Sequence, residues 1–105
     1  MVGVLIPTWN CKNDFLKTFR SLEPQVDKIL IVDNGSEKSC LSILSHLQGR
    51  YPDKLLIKYL DENTGLSHPY NIGLPILFNE GCQYVILSDQ DSIYNHEYVA
   101  SINTA

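Results

Sequence analysis
Apolar residues along this chain keep two different rhythms, and the switches between them lay out its elements. Val2 to Ile6 is a short apolar run, stopped by Pro7, and reads as a strand. Phe15, Phe19 and Leu22 then recur at i, i+4 and i+7, which predicts an amphipathic helix over Asp14 to Leu22. Lys28 to Asp33 is a second apolar run, ended by Asn34-Gly35. Leu41, Leu44 and Leu47 restore the helical spacing, with Gly49 placed to close that helix as the residue just past its end. Leu55 to Leu60 alternates only by half, as a strand nearer a sheet edge would. Pro69 to Phe78 has helical spacing, but Gly73 and Pro75 should weaken or kink it. Tyr84 to Ser88 forms a fourth strand, and a last helix begins near His96.

Continuous apolar strands are buried on both faces, and their alternation with helices implies parallel pairing through right-handed crossovers. The expected fold class is therefore α/β, an open, mostly parallel sheet with helices on both faces. Such sheets bind ligands beyond the carboxyl ends of their strands. The four exits are Pro7-Thr8-Trp9-Asn10, Asp33-Asn34-Gly35-Ser36, Asp61-Glu62-Asn63-Thr64-Gly65 and Asp89-Gln90-Asp91-Ser92. Each is rich in hydrogen-bonding groups, and three of the four carry carboxylates.

Composition narrows the classes. The chain has 105 residues, 44% of them hydrophobic, which is one domain's worth with room for a real core. A net charge of −4 argues against a nucleic-acid binder and against an electrostatic membrane anchor. No apolar run reaches the roughly 20 residues that span a bilayer, and the N-terminus lacks the basic region of a signal peptide. Cys11, Cys40 and Cys82 are widely spaced and lack C-x-x-C spacing. Their pattern argues against a disulfide framework or zinc site and for incidental thiols in a reducing cytoplasm.

Asp89 and Asp91 are the sharpest chemical feature. Residues two apart near a strand end point to the same side. Paired carboxylates there suit Mg²⁺ or Mn²⁺, with positions left open for substrate phosphate oxygens. Taken alone, D-x-D reads equally as a solvated acidic turn. Asp33 can accept an imide N–H, such as that of uracil or thymine, or serve simply as turn chemistry. Asn63 to Gly73 is a polar loop opening a helix, with Ser67 as a candidate cap and Pro69 in the first turn. A helix start of this kind suits phosphate, and His68 is a candidate donor to it. Trp9 can stack on a base or pack beside it. Neither G-x-G-x-x-G nor the P-loop pattern occurs.

Taken together, these motifs resemble family 2 glycosyltransferases of the GT-A fold. The residues that carry the resemblance are Val4 to Asn10, Ile31 to Ser36, Glu62-Asn63-x-Gly65 with Asn71-x-Gly73, and Leu87 to Ser92. The Asp-Gln-Asp-Ser form is most similar to bacterial rhamnosyltransferases. The resemblance implies that Pro7, Thr8 and Asn10 line a nucleoside pocket and that Asp33 reads the pyrimidine. It places Asn63 and Asn71 near the base, ribose or diphosphate, Asp89 near the ribose, and Asp91 on a divalent metal. The implied reaction moves a sugar, with inversion, from dTDP-rhamnose or a UDP-sugar to a glycan or lipid-linked glycan acceptor. Trp9 stands where the family usually has Tyr, and Pro69 where a small residue is usual.

Family members continue past the D-x-D into an acceptor-binding half that supplies the catalytic base. The chain therefore reads as a donor-binding half with no catalytic base of its own. Self-association through an exposed apolar edge is expected, as is a peripheral place at the inner membrane where the acceptor is lipid-linked. Two other classes fit parts of the pattern. A phosphoacceptor module would use acidic strand ends and Mg²⁺, but its first strand would exit to an acidic pair. A non-catalytic interaction domain would keep the fold alone.

Overall fold
Each apolar run becomes a parallel strand, and the intervening stripes become helices. The computed structural model describes residues 1–103. In chain order the elements are β1 (Val2–Thr8), α1 (Phe15–Leu22), β2 (Lys28–Asp33), α2 (Lys38–Arg50), β3 (Leu55–Tyr59), α3 (Ser67–Asn79), β4 (Tyr84–Leu87) and α4 (Tyr98–Asn103), with a single 3-10 turn at Glu23–Gln25. The sheet order is β3-β2-β1-β4, all neighbours parallel. The α/β class read from the sequence is the fold observed, and β3 does lie at an edge.

Strand alternation divides the apolar side chains between two cores. Val4, Ile6, Ile29 and Ile31 face one side, against Phe15, Phe19 and Leu22 of α1 and Leu44 and Leu47 of α2. Leu5, Leu30 and Val32 face the other, against Leu77 with Tyr70 and Leu74 of α3. Burial on both faces explains why β1 and β2 read as unbroken apolar runs. β4 occupies the opposite edge from β3, where Tyr84 and Leu87 are exposed.

Several boundaries differ from the sequence reading for physical reasons. β1 does not stop at Pro7 but pairs through Thr8 with Asp33. The Leu5 carbonyl accepts from the Ser88 N–H. Alternate residues turn their polar groups to alternate sides, so Pro7 turns its missing donor toward β4, beyond the last β1–β4 pair at Leu5 and Leu87. Proline therefore ends pairing on one side only. Gly49 lies inside α2, which continues to Arg50. α3 runs through both Gly73 and Pro75, and begins at Ser67, which supplies no side-chain cap. The bond that Pro75 removes would have gone to the Asn71 carbonyl, and both residues are exposed.

Gly73 positions α3 on the sheet. A Cβ there would lie 2.5 Å from Leu5 Cδ1 and 2.8 Å from Leu5 Cδ2. Gly73→Ala is therefore expected to lose about 1–3 kcal/mol, through overpacking that outweighs alanine's better helix propensity. Urea denaturation measures this as a lower midpoint at unchanged slope.

The cysteine reading is corrected. Cys11, just past β1, and Cys40, in the first turn of α2, form a disulfide with a Cα–Cα distance of 5.0 Å. Their 29-residue separation is bridged because β1 and β2 are neighbours, which spacing alone does not reveal. The inference of a reducing compartment from unpaired thiols loses its premise. Cys82 is free and buried.

Candidate functional site
Past Leu5 and Leu87 the strands β1 and β4 part, and the gap between them opens into a cleft of about 380 Å³. It lies at the point where the strand order reverses direction, where open α/β sheets place their ligands. Pro7, Thr8 and Trp9 form one wall. Asp89, Gln90 and Asp91 form the wall opposite, and Asn34, Asn63, Gly65, Leu66 and Tyr70 complete the lining. The Trp9 ring is half exposed beside this opening.

Three strand exits are stitched together beneath the cleft. The Thr8 hydroxyl donates to Asp33 Oδ1 at 2.7 Å, and the Ser36 hydroxyl donates to the same oxygen at 2.6 Å. The Ser36 N–H donates to Asp33 Oδ2 at 2.9 Å. Asp33 is only 1% exposed. Asp33 is thus held by three protein donors and lies outside the cleft lining, with acceptor capacity left on Oδ2. Asn10, at a φ of 49°, also lies outside the lining. Its N–H donates to the Ser36 hydroxyl, and its side-chain oxygen accepts from the Glu37 N–H. Both residues tie the exits of β1 and β2 together.

Asn34 extends the stitching to the loop after β3. Its Nδ2 donates to Asn63 Oδ1 and to the Gly65 carbonyl, while its Oδ1 accepts from the Thr64 N–H and hydroxyl. Asn63 Oδ1 also accepts from the Gly65 N–H. That loop turns at Gly65, whose φ of +84° favours glycine. The Asn63 oxygen is thus committed, and its Nδ2 has no partner among the described residues. It is a donor available to a ligand in the cleft.

The Asp89–Asp91 loop is held from several sides. Ser88 is buried, and its hydroxyl meets the Asp89 carbonyl and the Tyr94 phenol. Tyr70 of α3 donates to the Ser88 carbonyl at 3.3 Å. Burial, then the Asp89 and Tyr94 side chains, push the Tyr70 phenol above its ordinary pKa, so it stays a neutral donor. Asp89 Oδ1 accepts the N–H groups of Asp91 and Ser92 at 3.2 and 2.9 Å. Hydrogen bonding from the Ser92 side chain, reinforced by those main-chain donors, holds the Asp89 carboxyl below the usual carboxylate range despite partial burial. Asp91 is exposed and its carboxylate has no partner among the described residues.

Of the residues expected at the site, the structure gathers Pro7, Thr8, Asn63, Asp89 and Asp91 around the cleft. Asn71 is exposed on α3 and outside the lining, as is His68. Tyr70, Leu66, Gln90 and Asn34 were not read as site residues. Tyr70 is reachable in principle, since it sits in the first turn of the helix that follows the polar loop. Among the described residues, no three His, Cys, Asp or Glu side chains form a group that could hold a metal. A site here would instead be a two-carboxylate one, completed by ligand oxygens.

A parallel sheet with a cleft at its switch point defines a ligand-binding α/β domain of the Rossmann-like kind. Residues 3–102 match glycosyl transferase family 2, and the chain belongs to that family. It is 30% identical over 102 residues to an uncharacterized glycosyltransferase of Bacillus subtilis, YfnE, covering 93% of this chain and 25% of the relative. The crystal structure of S. aureus TarS residues 1–349 superposes with a TM-score of 0.76 at 23% identity, over 98% of this chain and 31% of that one. A second S. aureus TarS structure gives 0.74 at 23% identity, over 98% and 19%. These superpositions bear on the fold. The chain spans about a quarter of the curated relative it matches.

Proposed function
We propose that this chain is the donor-binding part of an inverting glycosyltransferase and that the β1–β4 cleft receives a nucleoside diphosphate sugar. The observation that carries the reading is the meeting of an aromatic side chain, Trp9, with two carboxylates, Asp89 and Asp91, around one opening. The base lies against Pro7, Thr8 and Trp9, with the Asn63 Nδ2 as a donor to a ring carbonyl or to phosphate. The diphosphate extends toward Asp89 and Asp91. Asp33 lies just outside the lining, so its reading of the ring, like the preference for a pyrimidine, rests on the family resemblance. So does the order of donors, dTDP-rhamnose ahead of UDP-sugars. The acceptor is a glycan or lipid-linked glycan.

A divalent cation, Mg²⁺ or Mn²⁺, fits this donor set. Hard oxygen ligands, one of them unpartnered and the other kept ionised by its own turn, leave room for phosphate oxygens. Asp91, with Asp89 beside it, would hold the ion. When bound, the ion would offset charge on a departing diphosphate. Asp89 also orders its own loop through the Asp91 and Ser92 N–H groups. Tyr70 and Ser88 hold the loop's start.

No side chain is assigned as the base that deprotonates the acceptor. No helix among the described residues is long and apolar enough to cross a membrane. A peripheral place at the inner membrane belongs with a lipid-linked acceptor, and self-association would use the exposed β4 edge.

Calorimetric titration tests this reading. UDP or dTDP is expected to bind with Mn²⁺ present and to lose most of its affinity when EDTA removes the metal. Metal-independent binding would reject the role of the two carboxylates. Equal binding of purine diphosphates would reject the pyrimidine preference.

A further inference from the structure
We propose that Gln90, the residue between the two carboxylates, is a positioning residue that locks the aromatic wall of the cleft to the Asp89–Asp91 loop. The inference rests on the nucleotide-sugar reading of the cleft and assigns a role to a position that reads as a spacer in D-x-D. The Trp9 N–H donates to Gln90 Oε1 at 2.8 Å, and Gln90 Nε2 donates to the Trp9 carbonyl at 3.2 Å. One carboxamide thus satisfies both main-chain groups of one residue.

The register explains why Trp9 needs it. Leu5 turns its carbonyl to β4, where Ser88 meets it. By alternation Pro7 and Trp9 turn the same way. Pro7 has no donor to offer, and β4 has ended at Leu87. At Trp9 the ladder has no strand left to pair with, and the Gln90 side chain stands in for the missing backbone. The other end of Gln90 is fixed as well, because the Thr18 hydroxyl of α1 donates to its carbonyl at 3.1 Å. The clasp crosses the mouth of the gap that forms the cleft. It therefore sets the distance between Trp9, which meets the base, and Asp89 and Asp91, which meet the diphosphate. Base and diphosphate are joined covalently in the donor, so a fixed spacing between their sites favours binding the two together.

Trp9 is the chain's single tryptophan, so its fluorescence reports on the clasp directly. Gln90→Met keeps the length of the side chain and removes both hydrogen bonds. Gln90→Glu keeps the acceptor for the Trp9 N–H but sets an oxygen against the Trp9 carbonyl. In the full chain without nucleotide, Gln90→Met is expected to lower Trp9 anisotropy and raise its quenching by acrylamide, with Gln90→Glu in between. Circular dichroism confirms that each variant is folded, and either folded variant suffices for the mobility comparison.

With Mn²⁺ present, UDP affinity should fall about tenfold in Gln90→Met, the size expected for re-ordering a freed side chain when the ligand binds. Affinity for uridine alone should change much less, because a lone nucleoside does not bridge the two walls. A merely structural role would weaken both ligands alike. Unchanged Trp9 mobility in both variants, or an equal loss for UDP and uridine, overturns the proposal. A wild-type chain that binds no nucleoside diphosphate overturns instead the reading of the cleft on which it rests.

Discussion
Asp91→Asn is expected to abolish the metal-dependent part of nucleotide binding while leaving the fold intact. The carboxylate is exposed and has no partner among the described residues, so its loss removes no internal contact. A neutral amide keeps the shape but gives up the charge that a divalent ion requires. The loss should be at least about thirtyfold in affinity, roughly 2 kcal/mol, the scale of one charge-assisted contact. Calorimetry with Mn²⁺ and a thermal melt of the same sample measure both halves of this expectation. Binding that survives in Asp91→Asn would remove the metal from Asp91. Asp89→Asn should differ, because Asp89 also holds the N–H groups of Asp91 and Ser92, so its loss loosens the loop as well.

Asp33→Ala is expected to act on the fold instead. It strips the shared acceptor from the Thr8 hydroxyl, the Ser36 hydroxyl and the Ser36 N–H, in a place that is almost wholly buried. Donors left without a partner cost about 1–3 kcal/mol each, so with three of them a loss of at least about 3 kcal/mol is expected. That is a large share of the roughly 5–15 kcal/mol by which a domain is stable. Asp33→Asn keeps the volume but turns at least one position from acceptor to donor, and about half the loss should remain. Urea midpoints of the two variants decide the matter. If both variants keep wild-type stability and change only nucleotide selectivity, then Asp33 reads the ligand and does not hold the strand exits together.

The contrast between these two aspartates shows what the sequence could and could not convey. Both sit at the exits of apolar strands, and Asp89 and Asp91 both line the cleft, from a turn beyond β4 where the strand's two-residue alternation no longer applies. Asp33 has the same local signature. Its fate is decided by Thr8 across the strand pair and by a turn that brings Ser36 back to it, and neither contact is written in the run from Lys28 to Asp33. Pro7 is similar. It was read as the end of a strand, yet it ends pairing with β4 alone, and that one-sided end opens the cleft. The two-sided burial of β1 and β2 was legible because period and composition determine it locally. The Cys11–Cys40 pairing and the clasp between Trp9 and Gln90 depend on which strands are neighbours, so they became visible only with the sheet order.

The most direct test of the cleft as the donor site is a two-dimensional ¹H–¹⁵N spectrum of the labelled chain titrated with UDP and Mg²⁺. Shifts are expected at the Trp9 indole, the Asn63 side-chain amide, Gly65, and the backbone of Gln90 and Asp91. The Gly49 and Arg50 signals, on the far end of α2, should stay still. Saturating shifts confined to those cleft residues are the predicted result. Shifts centred elsewhere, or none at millimolar nucleotide, would contradict the account.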